Sequence, residues 1–422
     1  MSTQPTSTFS LQQWLSYQQA LHQQVIELGL ERVKRVARKM GLTPHCPVIT
    51  VAGTNGKGST CAFLNTMLME AGYSTGVYTS PHLVRYNERI KLGNQWISDE
   101  LLCQHFQTIE EARGEITLTP FEFGTLAAVS IFIEQRVDVM ILEVGLGGRL
   151  DAVNIFTPSV SVVTSIGIDH VEYLGDNRED IGREKAGIFR AGVPALCADP
   201  DPPYSLIRHA QDIGAPLSLW GRDFSLIEED GHYAFSGFGL ALAPLPPPAL
   251  EGDFQRRNAA AAIAALVLLK EQLSITLPDY QQALKSVFIS GRYQVIKRHC
   301  LIVLDVAHNP HGALELRKNL IAHPVSGRTW MVFGMLKDKD MKGVVECLKE
   351  VVDEWHVASV PDPRGATDQQ LSEIIIEQGG QVFQHPSFVE ALETLFKKAR
   401  PTDRIVVTGS FVTVGLIAEY LA

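Results

Sequence analysis

Apolar, β-branched runs alternate with segments that carry apolar residues at helical spacing along most of this chain. Before residue 290 the clearest runs are 48–51, 137–142 and 160–165, each typical of a buried strand. Beyond residue 290 such runs recur at 301–304, 329–333, 354–358 and 404–408, with helical stretches between them. The pattern predicts an α/β protein with two domains, 1–290 and 291–422. The second is expected to be smaller, doubly wound and Rossmann-like.

Helix-end signals predict where the intervening helices begin and stop. Ser10 is a suitable N-cap for a first helix, and a second helix runs from about Leu30 until Gly41 stops it. Further helices are predicted at 98–113, from 121 to about 134, at 178–189, from Asn258 onward and at 278–287. Residues 192–250 are predicted to be irregular, with strands and loops at the edge of the first domain.

The stretch after the first strand predicts a phosphate-binding loop, so the first domain is expected to be a P-loop-type nucleotide-binding domain with a parallel-rich sheet. The loop is Gly53-Thr54-Asn55-Gly56-Lys57-Gly58-Ser59, and a helix is predicted from Thr60 to about Ala71. Glycines let backbone N–H groups approach phosphate oxygens, the helix N-terminus adds positive potential, and Lys57 reaches the outer phosphates. Ser59 or Thr60 would supply a hydroxyl to Mg²⁺.

The match to the strict P-loop pattern is incomplete. That pattern requires Gly at position 51 and Ser or Thr at position 58, where this chain has Val51 and Gly58. A Gly-rich turn with an exposed lysine is therefore the alternative interpretation.

A further short strand is predicted at 75–79, so that three polar residues, Ser80, Glu143 and His170, each follow a different predicted strand. A parallel sheet would bring these strand ends together near the phosphates. Mg²⁺ prefers oxygen ligands, which suits Ser80 and Glu143, whereas a lone histidine is more often a hydrogen-bonding residue than a ligand. Lys185 stands in the charged helix predicted at 178–189, and from sequence alone a solvated lysine is the favoured interpretation.

Composition narrows the class of protein. A length of 422 residues favours two domains, and a net charge of −10 argues against a general nucleic-acid binder. The six cysteines are scattered without a C-x-x-C pair, which favours a reduced cytoplasmic protein over a zinc or disulfide framework. The polar N-terminus lacks the features of a signal peptide, and no apolar run approaches the ~18 residues of a membrane helix.

The second domain has polar residues at two strand ends. Its first strand ends in Asp305-Val306-Ala307-His308-Asn309, and its last ends in Thr408-Gly409-Ser410. Two domains with polar strand ends suggest ATP in one, a second substrate in the other, and chemistry between them.

These segments, in this order, resemble the folylpolyglutamate synthase family, whose members are relatives of the Mur cell-wall ligases. The resemblance extends from Leu28 to the C-terminus and rests on the segments TVAGTNGKGS, YTSPHL, FEFGT, LEVGLGGRLDAVN, SIGIDH, GREKAGI, GRYQ and DVAHNPHG. The segment LGLER resembles the loop with which bifunctional members bind dihydropteroate. One departure is Phe254, at a position where many members have His.

The resemblance implies roles for particular residues. Lys57, His170 and Lys185 are the implied catalytic residues. ATP would contact Gly56, Lys57, Gly58, Ser59, Asn258, Arg292 and Asp305, and Mg²⁺ at two sites would involve Ser80, Glu143 and His170. Dihydropteroate would contact Leu28, Gly29, Leu30, Glu31, Phe121, Glu122, Phe123, Gly124, Leu150, Asp151 and Ala152.

The resemblance also implies that Lys185 is carbamylated to an N6-carboxylysine that supports the second metal. Carbamylation requires a neutral amine, so the pKa of Lys185 is expected to lie below its usual ~10.4.

The implied reaction is an ATP-dependent ligation of L-glutamate to 7,8-dihydropteroate and to reduced folates through an acyl phosphate, in a cytoplasmic monomer without nucleic-acid or membrane partners. Alternatives are a folylpolyglutamate synthase without dihydrofolate synthase activity, a Mur-type amino-acid ligase, and a nucleotide-dependent binding module with weak ATPase activity. The LGLER segment favours the bifunctional enzyme.

Overall fold

The computed structural model describes residues 9–22 and 27–422, which divide into two compact units. Unit 1 comprises the described residues of Met1–Pro81 together with Tyr86–Ala249 and Gln255–Val287, and unit 2 comprises His82–Arg85, Leu250–Phe254 and Phe288–Ala422. The expectation of no signal peptide depends largely on residues 1–8, which lie outside the described residues. Within the described part of the chain, no helix has both the length and the apolar character needed to cross a bilayer.

Unit 1 is built on an eight-stranded sheet with a parallel centre. Its strands are β1 (Val48–Ala52), β2 (Thr75–Tyr78), β3 (Ile90–Leu92), β4 (Gln95–Trp96), β5 (Val139–Glu143), β6 (Val160–Val163), β7 (Ala195–Cys197) and β8 (Leu217–Leu219). They lie in the order β4-β3-β2-β5-β1-β6-β7-β8. From β2 to β8 in that order all pairs are parallel, while β3 and β4 are added antiparallel at one edge. Strands β1, β2, β5, β6 and β7 are buried along their whole length, as expected of a parallel sheet with both faces covered.

The helices assigned to the first part of the chain are α1 (Leu11–Leu21), α2 (Glu31–Lys39), α3 (Lys57–Glu70), α4 (Asp99–Arg113), α5 (Pro120–Glu134), α6 (Val171–Leu174), α7 (Arg178–Ala186), α8 (Tyr204–Ile213), α9 (Asp253–Leu268) and α10 (Leu277–Ser286). Several begin at the residues that the sequence predicts. Ser10 and Ser98 cap α1 and α4, and Thr119 forms a capping box with Glu122 at the start of α5.

Two helix starts predicted from the sequence are wrong. Helix α3 begins at Lys57 rather than Thr60, and α9 begins at Asp253 rather than Asn258. In α3 the glycines suggested a longer loop, but Gly56 takes the N-cap position in the left-handed region (φ 88°), which glycine adopts without strain. Lys57 therefore lies in the first helical turn.

The prediction of strands and loops at the edge of the first domain for 192–250 is confirmed, but the expectation that this region is irregular is wrong. Strands β7 and β8 extend the parallel sheet with α8 between them, and β9 (Phe224–Glu229), β10 (His232–Gly237) and β11 (Leu240–Leu245) form a separate antiparallel sheet. Strands of three residues are too short to show a hydrophobic period in the sequence. Their assignment depends on the pairing of β7 with β6 and of β8 with β7, which only the folded chain provides.

Unit 2 has a six-stranded sheet in the order β12-β13-β17-β14-β15-β16. The strands are β12 (Gln294–Lys297), β13 (Leu301–Leu304), β14 (Thr329–Phe333), β15 (Glu354–Val357), β16 (Val382–Gln384) and β17 (Arg404–Thr408). All pairs are parallel except β12 with β13. Its helices are α11 (Pro310–Ala322), α12 (Met341–Leu348), α13 (Asp368–Glu377), α14 (Phe388–Lys398) and α15 (Phe411–Leu421). The predicted α/β class is confirmed. The edge strands β12 and β16 were not predicted, because they are partly exposed and lack a continuous apolar run.

Close packing of β2 against α5 gives a stability prediction. A Cβ added at Gly76 would lie 2.4 Å from the ring of Phe132, so we expect Gly76→Ala to destabilise unit 1 by about 1–3 kcal/mol through overpacking. Chemical denaturation of the variant measures this loss. Adding Phe132→Leu should recover part of it, and a double variant with fully additive losses would show that the ring is not the cause.

Candidate functional site

Two glycines of the loop between β1 and α3 lie against polar side chains with no room for a Cβ. At Gly53 a Cβ would stand 1.9 Å from Thr164 Oγ1, and at Gly56 it would stand 2.5 Å from Asn258 Oδ1. Both glycines have positive φ. The loop backbone is thus held in a conformation that only glycine accommodates at these positions.

The loop is also hydrogen-bonded to the segment that follows β6. Thr54 Oγ1 donates to the carbonyl oxygen of Gly167 and accepts from its N–H, both at 3.0 Å. The N–H of Asn55 donates to Ser165 Oγ at 3.1 Å, and Thr164 Oγ1 donates to Asn55 O at 2.6 Å. These bonds fix the loop relative to the segment that leads to His170.

Lys57 and Ser59 have defined partners on the first turn of α3. Lys57 Nζ donates to the carbonyl oxygens of Gly53 at 3.0 Å and Thr54 at 3.2 Å. Ser59 is buried, and its hydroxyl accepts from Gln255 Nε2 at 3.2 Å. Lys57 is therefore a bonded part of the loop, which disfavours the alternative of a freely exposed lysine.

Asn258 lies on α9 and reaches the same loop. Its Nδ2 donates to Gln255 Oε1 at 2.9 Å, so that Gln255 connects Asn258 with Ser59. Gln255 is a site residue that the sequence reasoning missed. The signal for it in the sequence is its place directly after Phe254 in the GDFQ segment, three residues before Asn258.

The structure brings together two of the three residues expected to bind metal. The N–H of Ser80 donates to Glu143 Oε2 at 3.0 Å, because β2 and β5 are neighbours in register and end side by side. Glu143 is buried, with 4% of its surface exposed. A serine hydroxyl and a buried carboxylate offer the oxygen ligands that Mg²⁺ prefers, so the donor set fits that ion.

His170 has an unusual backbone. It lies in the left-handed region (φ 52°) directly before α6, and its N–H donates to Asp169 Oδ1 at 2.8 Å. Such a conformation is uncommon for a non-glycine residue and concentrates at functional positions. Among the residues described, no group of three or more His, Cys, Asp or Glu side chains is arranged to hold a metal, so the role of His170 as a ligand stays a prediction.

Lys185 on α7 is not the solvated lysine that the sequence favoured. Its side chain is buried, and the glycine-rich segment after β5 packs on the backbone of this helix: a Cβ at Gly148 would lie 3.0 Å from the carbonyl oxygen of Lys185. Burial, and secondarily the charge of Lys57, lower the pKa of Lys185 to about 7, while Asp169 and Asp151 oppose the shift. The change corresponds to roughly 5 kcal/mol in favour of the neutral amine.

Two of the segments expected to bind dihydropteroate meet in unit 1. Phe121, at the start of α5, packs so closely on the segment after β5 that a Cβ at Gly145 would lie 2.6 Å from its ring. Asp151 accepts from the N–H groups of Gly145 at 3.0 Å and Leu146 at 2.9 Å. Burial raises the pKa of Asp151 to about 7, against the opposing effect of its backbone donors.

Leu28 to Glu31 is the third segment expected to bind dihydropteroate. It is connected to the start of α5 by Arg32, the residue that follows it. Arg32 Nη2 lies 3.4 Å from Glu122 Oε1. Leu150 and Ala152 flank Asp151, which caps a 3₁₀ helix at Ala152–Ile155.

In unit 2, Asp305 follows β13 and is held by the backbone. It accepts from the N–H of Tyr293 at 2.9 Å and from that of Ala307 at 2.8 Å. Burial raises its pKa, and the charge of Arg292 opposes the rise. The Arg292 guanidinium lies over the ring of Phe411, 5.2 Å from its centre. The two residues expected to contact ATP in this unit are thus electrostatically coupled.

Comparison with known proteins gives matches to both parts of the chain. The Mur ligase middle domain matches residues 51–199, and the Mur ligase, glutamate ligase domain, matches residues 291–411. The dihydrofolate synthase/folylpolyglutamate synthase of Escherichia coli (strain K12) is 44% identical over 99% of this chain and 97% of its own length.

Solved structures are similar over the same extent. E. coli FolC in complex with DHPP and ADP has a TM-score of 0.94 and 43% identity, covering 99% of both chains. A bifunctional folylpolyglutamate synthase/dihydrofolate synthase with Mn, AMPPNP and L-glutamate bound has a TM-score of 0.92 and 41% identity, covering 99% of this chain and all of the other.

The buried amine gives a prediction about carbamylation. With a pKa of about 7, Lys185 is mainly protonated at pH 6 and mainly neutral at pH 8, so carbamate formation with CO₂ should increase across this range. Carbon NMR of the protein equilibrated with ¹³C-bicarbonate at matched dissolved CO₂ measures the carbamate. A signal that persists unchanged in Lys185→Ala would assign it to another amine and contradict the prediction.

Proposed function

This chain belongs to the dihydrofolate synthase/folylpolyglutamate synthase family of Mur ligases, and we propose that it joins L-glutamate to 7,8-dihydropteroate and adds further glutamates to reduced folates. It is an ATP-dependent carbon–nitrogen ligase. The observation that carries the proposal is similarity along the full chain to bifunctional relatives, together with a phosphate loop, Glu143 and a buried Lys185 in one unit.

The first half of the reaction makes the carboxylate reactive. ATP transfers its terminal phosphoryl group to the substrate carboxylate, which gives ADP and an acyl phosphate. Gly56, Lys57, Gly58 and Ser59 would hold the phosphates, with the Lys57 ammonium exchanging its bonds to loop carbonyls for bonds to phosphate oxygens. Asn258, Arg292 and Asp305 are the further residues proposed to contact ATP.

In the second half the amine of L-glutamate attacks the acyl carbon, and phosphate leaves as the amide bond forms. The ammonium of L-glutamate first loses one proton to water to become the neutral amine that attacks, and the nitrogen loses a second proton, to the departing phosphate or to water, as the amide forms. The chain's contribution is mainly to orient the two reactants and to balance negative charge on the phosphoryl oxygens.

Ser80, Glu143 and His170 are the residues proposed to hold Mg²⁺. The ion would neutralise phosphate charge during phosphoryl transfer. Lys185, once carbamylated, would present a carboxylate in place of an ammonium and so provide an anionic ligand for a second ion. The lowered pKa of Lys185 supports this role, because only the neutral amine reacts with CO₂.

We propose that residues 1–290 bind ATP and the pterin and that residues 291–422 form the glutamate-ligase domain. The match of the glutamate ligase domain to residues 291–411 supports this division. We further propose a cytoplasmic monomer acting on small molecules. None of the six cysteines takes part in a disulfide, as expected in a reducing compartment.

The decisive experiment measures phosphate release from ATP. We expect release to require both dihydropteroate and L-glutamate, and separately both tetrahydrofolate and L-glutamate. Lys57→Ala should abolish both activities, since they share one phosphate site, whereas Lys270→Ala, which removes an exposed lysine, should leave them unchanged.

Three outcomes would contradict parts of this proposal. Release without any acceptor would indicate a simple ATPase. Release with tetrahydrofolate and L-glutamate, but not with dihydropteroate and L-glutamate, would indicate a folylpolyglutamate synthase without dihydrofolate synthase activity. Turnover retained by Lys57→Ala would remove the assignment of the phosphate site.

The segment Leu28 to Glu31 gives a prediction about substrate preference. Dihydropteroate is shorter than a folate, so its ring must be held nearer the phosphates when its carboxylate reacts. We expect Leu30→Asp to lower kcat/KM for dihydropteroate about a hundredfold more than for tetrahydrofolate, because a charge opposes ring packing by roughly a few kcal/mol. Leu30→Met, which keeps the volume, is the control, and equal losses with both substrates would argue for one shared pterin position.

A further inference from the structure

Arg32 joins the two ends of the segment Leu28 to Glu31. Its Nη1 contacts the Glu27 carboxylate, and its Nη2 donates to the Glu27 carbonyl oxygen at 3.2 Å. Arg32 itself lies in the first turn of α2. A single guanidinium therefore spans the residues before and after this four-residue segment.

The same guanidinium reaches the start of α5. Arg32 Nη2 lies 3.4 Å from Glu122 Oε1, and the Glu122 side chain is only 4% exposed. The other oxygen, Oε2, accepts from the N–H of Thr119 at 2.8 Å and so caps α5. Burial raises the pKa of Glu122, and the charge of Arg32 opposes that rise. Arg32 thus connects the segment before α2 with the Phe121–Gly124 segment.

His22 extends the connection to the end of α1. Its Nε2 contacts the Glu27 carboxylate, and its Nδ1 pairs with Thr117 Oγ1 at 2.9 Å. Three separate parts of unit 1 therefore converge on Glu27 and Arg32: the end of α1, the start of α2 and the approach to α5.

The polar contacts around Arg32 and Glu122 leave some buried atoms without a hydrogen bond. Within the described residues, Arg32 Nε and both amide atoms of Gln18 on α1 are buried without a hydrogen-bond partner, and Glu122 Oε1 has the 3.4 Å ion-pair contact with Arg32 Nη2 but no hydrogen bond. Unpaired buried polar atoms each cost free energy, and native proteins retain few of them. The contact between Arg32 and Glu122 is therefore incompletely hydrogen-bonded, which a role in positioning explains better than a role in stability.

We propose that Arg32 is a positioning residue for dihydropteroate: it holds Leu28 to Glu31 against Phe121 to Gly124 by bridging Glu27 and Glu122. The proposal rests on the proposed function and adds to it a residue that would not itself touch the substrate. A planar guanidinium suits the task because it can bond two carboxylates in fixed directions, which a lysine ammonium does less well.

The test compares Arg32→Gln and Arg32→Lys with Arg35→Gln, which removes an exposed arginine of the same helix. For Arg32→Gln we expect the KM for dihydropteroate to rise about tenfold or more, with kcat within about threefold and the KM for ATP unchanged. Arg32→Lys should fall between Arg32→Gln and the wild type. Arg35→Gln should match the wild type.

A double-variant cycle with Glu27→Gln tests the bridge itself. If Arg32 acts through Glu27, the effects of Arg32→Gln and Glu27→Gln on the KM for dihydropteroate should be clearly less than multiplicative. An unchanged KM for dihydropteroate accompanied by a lower melting temperature would show a purely structural role and overturn the proposal. A matching rise in the KM for ATP would overturn it as well.

Failure of this inference is distinguishable from failure of the proposed function. A wild-type protein that does not ligate glutamate to dihydropteroate would overturn both. A wild-type protein that does so, with an Arg32→Gln variant of unchanged KM, would overturn only the role of Arg32.

Discussion

The phosphate-binding loop depends on two contacts at which no side chain fits. Thr164 occupies the space beside Gly53, and Asn258 occupies the space beside Gly56. Both glycines also have positive φ, which a residue with a side chain rarely adopts. The loop therefore requires glycine at these two positions for two reasons, the space available and the backbone conformation. The proposed binding of the ATP phosphates requires this loop geometry, because it sets the direction of the backbone N–H groups and the position from which the Lys57 side chain extends.

The parallel sheet supplies the surroundings of the loop. Strands β2, β5, β1 and β6 are neighbours and all end on the same side, which is why the residues after β6 bond to the loop and why Ser80 meets Glu143. In open parallel sheets this edge is where ligands bind. Lys185 belongs to the same electrostatic environment, since the charges of Lys57, Asp169 and Asp151 all act on its pKa.

Much of this arrangement could be predicted from local sequence. The strands β1, β5, β13, β14 and β17 are apolar runs, and the caps at Ser10 and Ser98 place the starts of α1 and α4 within one or two residues. The predictions that failed concern features whose cause lies elsewhere in the chain. The three-residue strands β7 and β8 exist through pairing, and Gln255 becomes a site residue only because α9 brings it to Ser59.

The sequence by itself determined the class of fold, the family and the identity of the chemical groups, because apolar periodicity, glycine positions and the motif residues are local properties of the chain. The tertiary structure alone decided which of those groups are buried and what faces them. Lys185 shows the difference: in the sequence it is one charge in a charged helix, and in the fold its side chain is buried. Desolvation and long-range charge depend on neighbours distant in sequence, so the lowering of the Lys185 pKa to about 7 appears only in three dimensions.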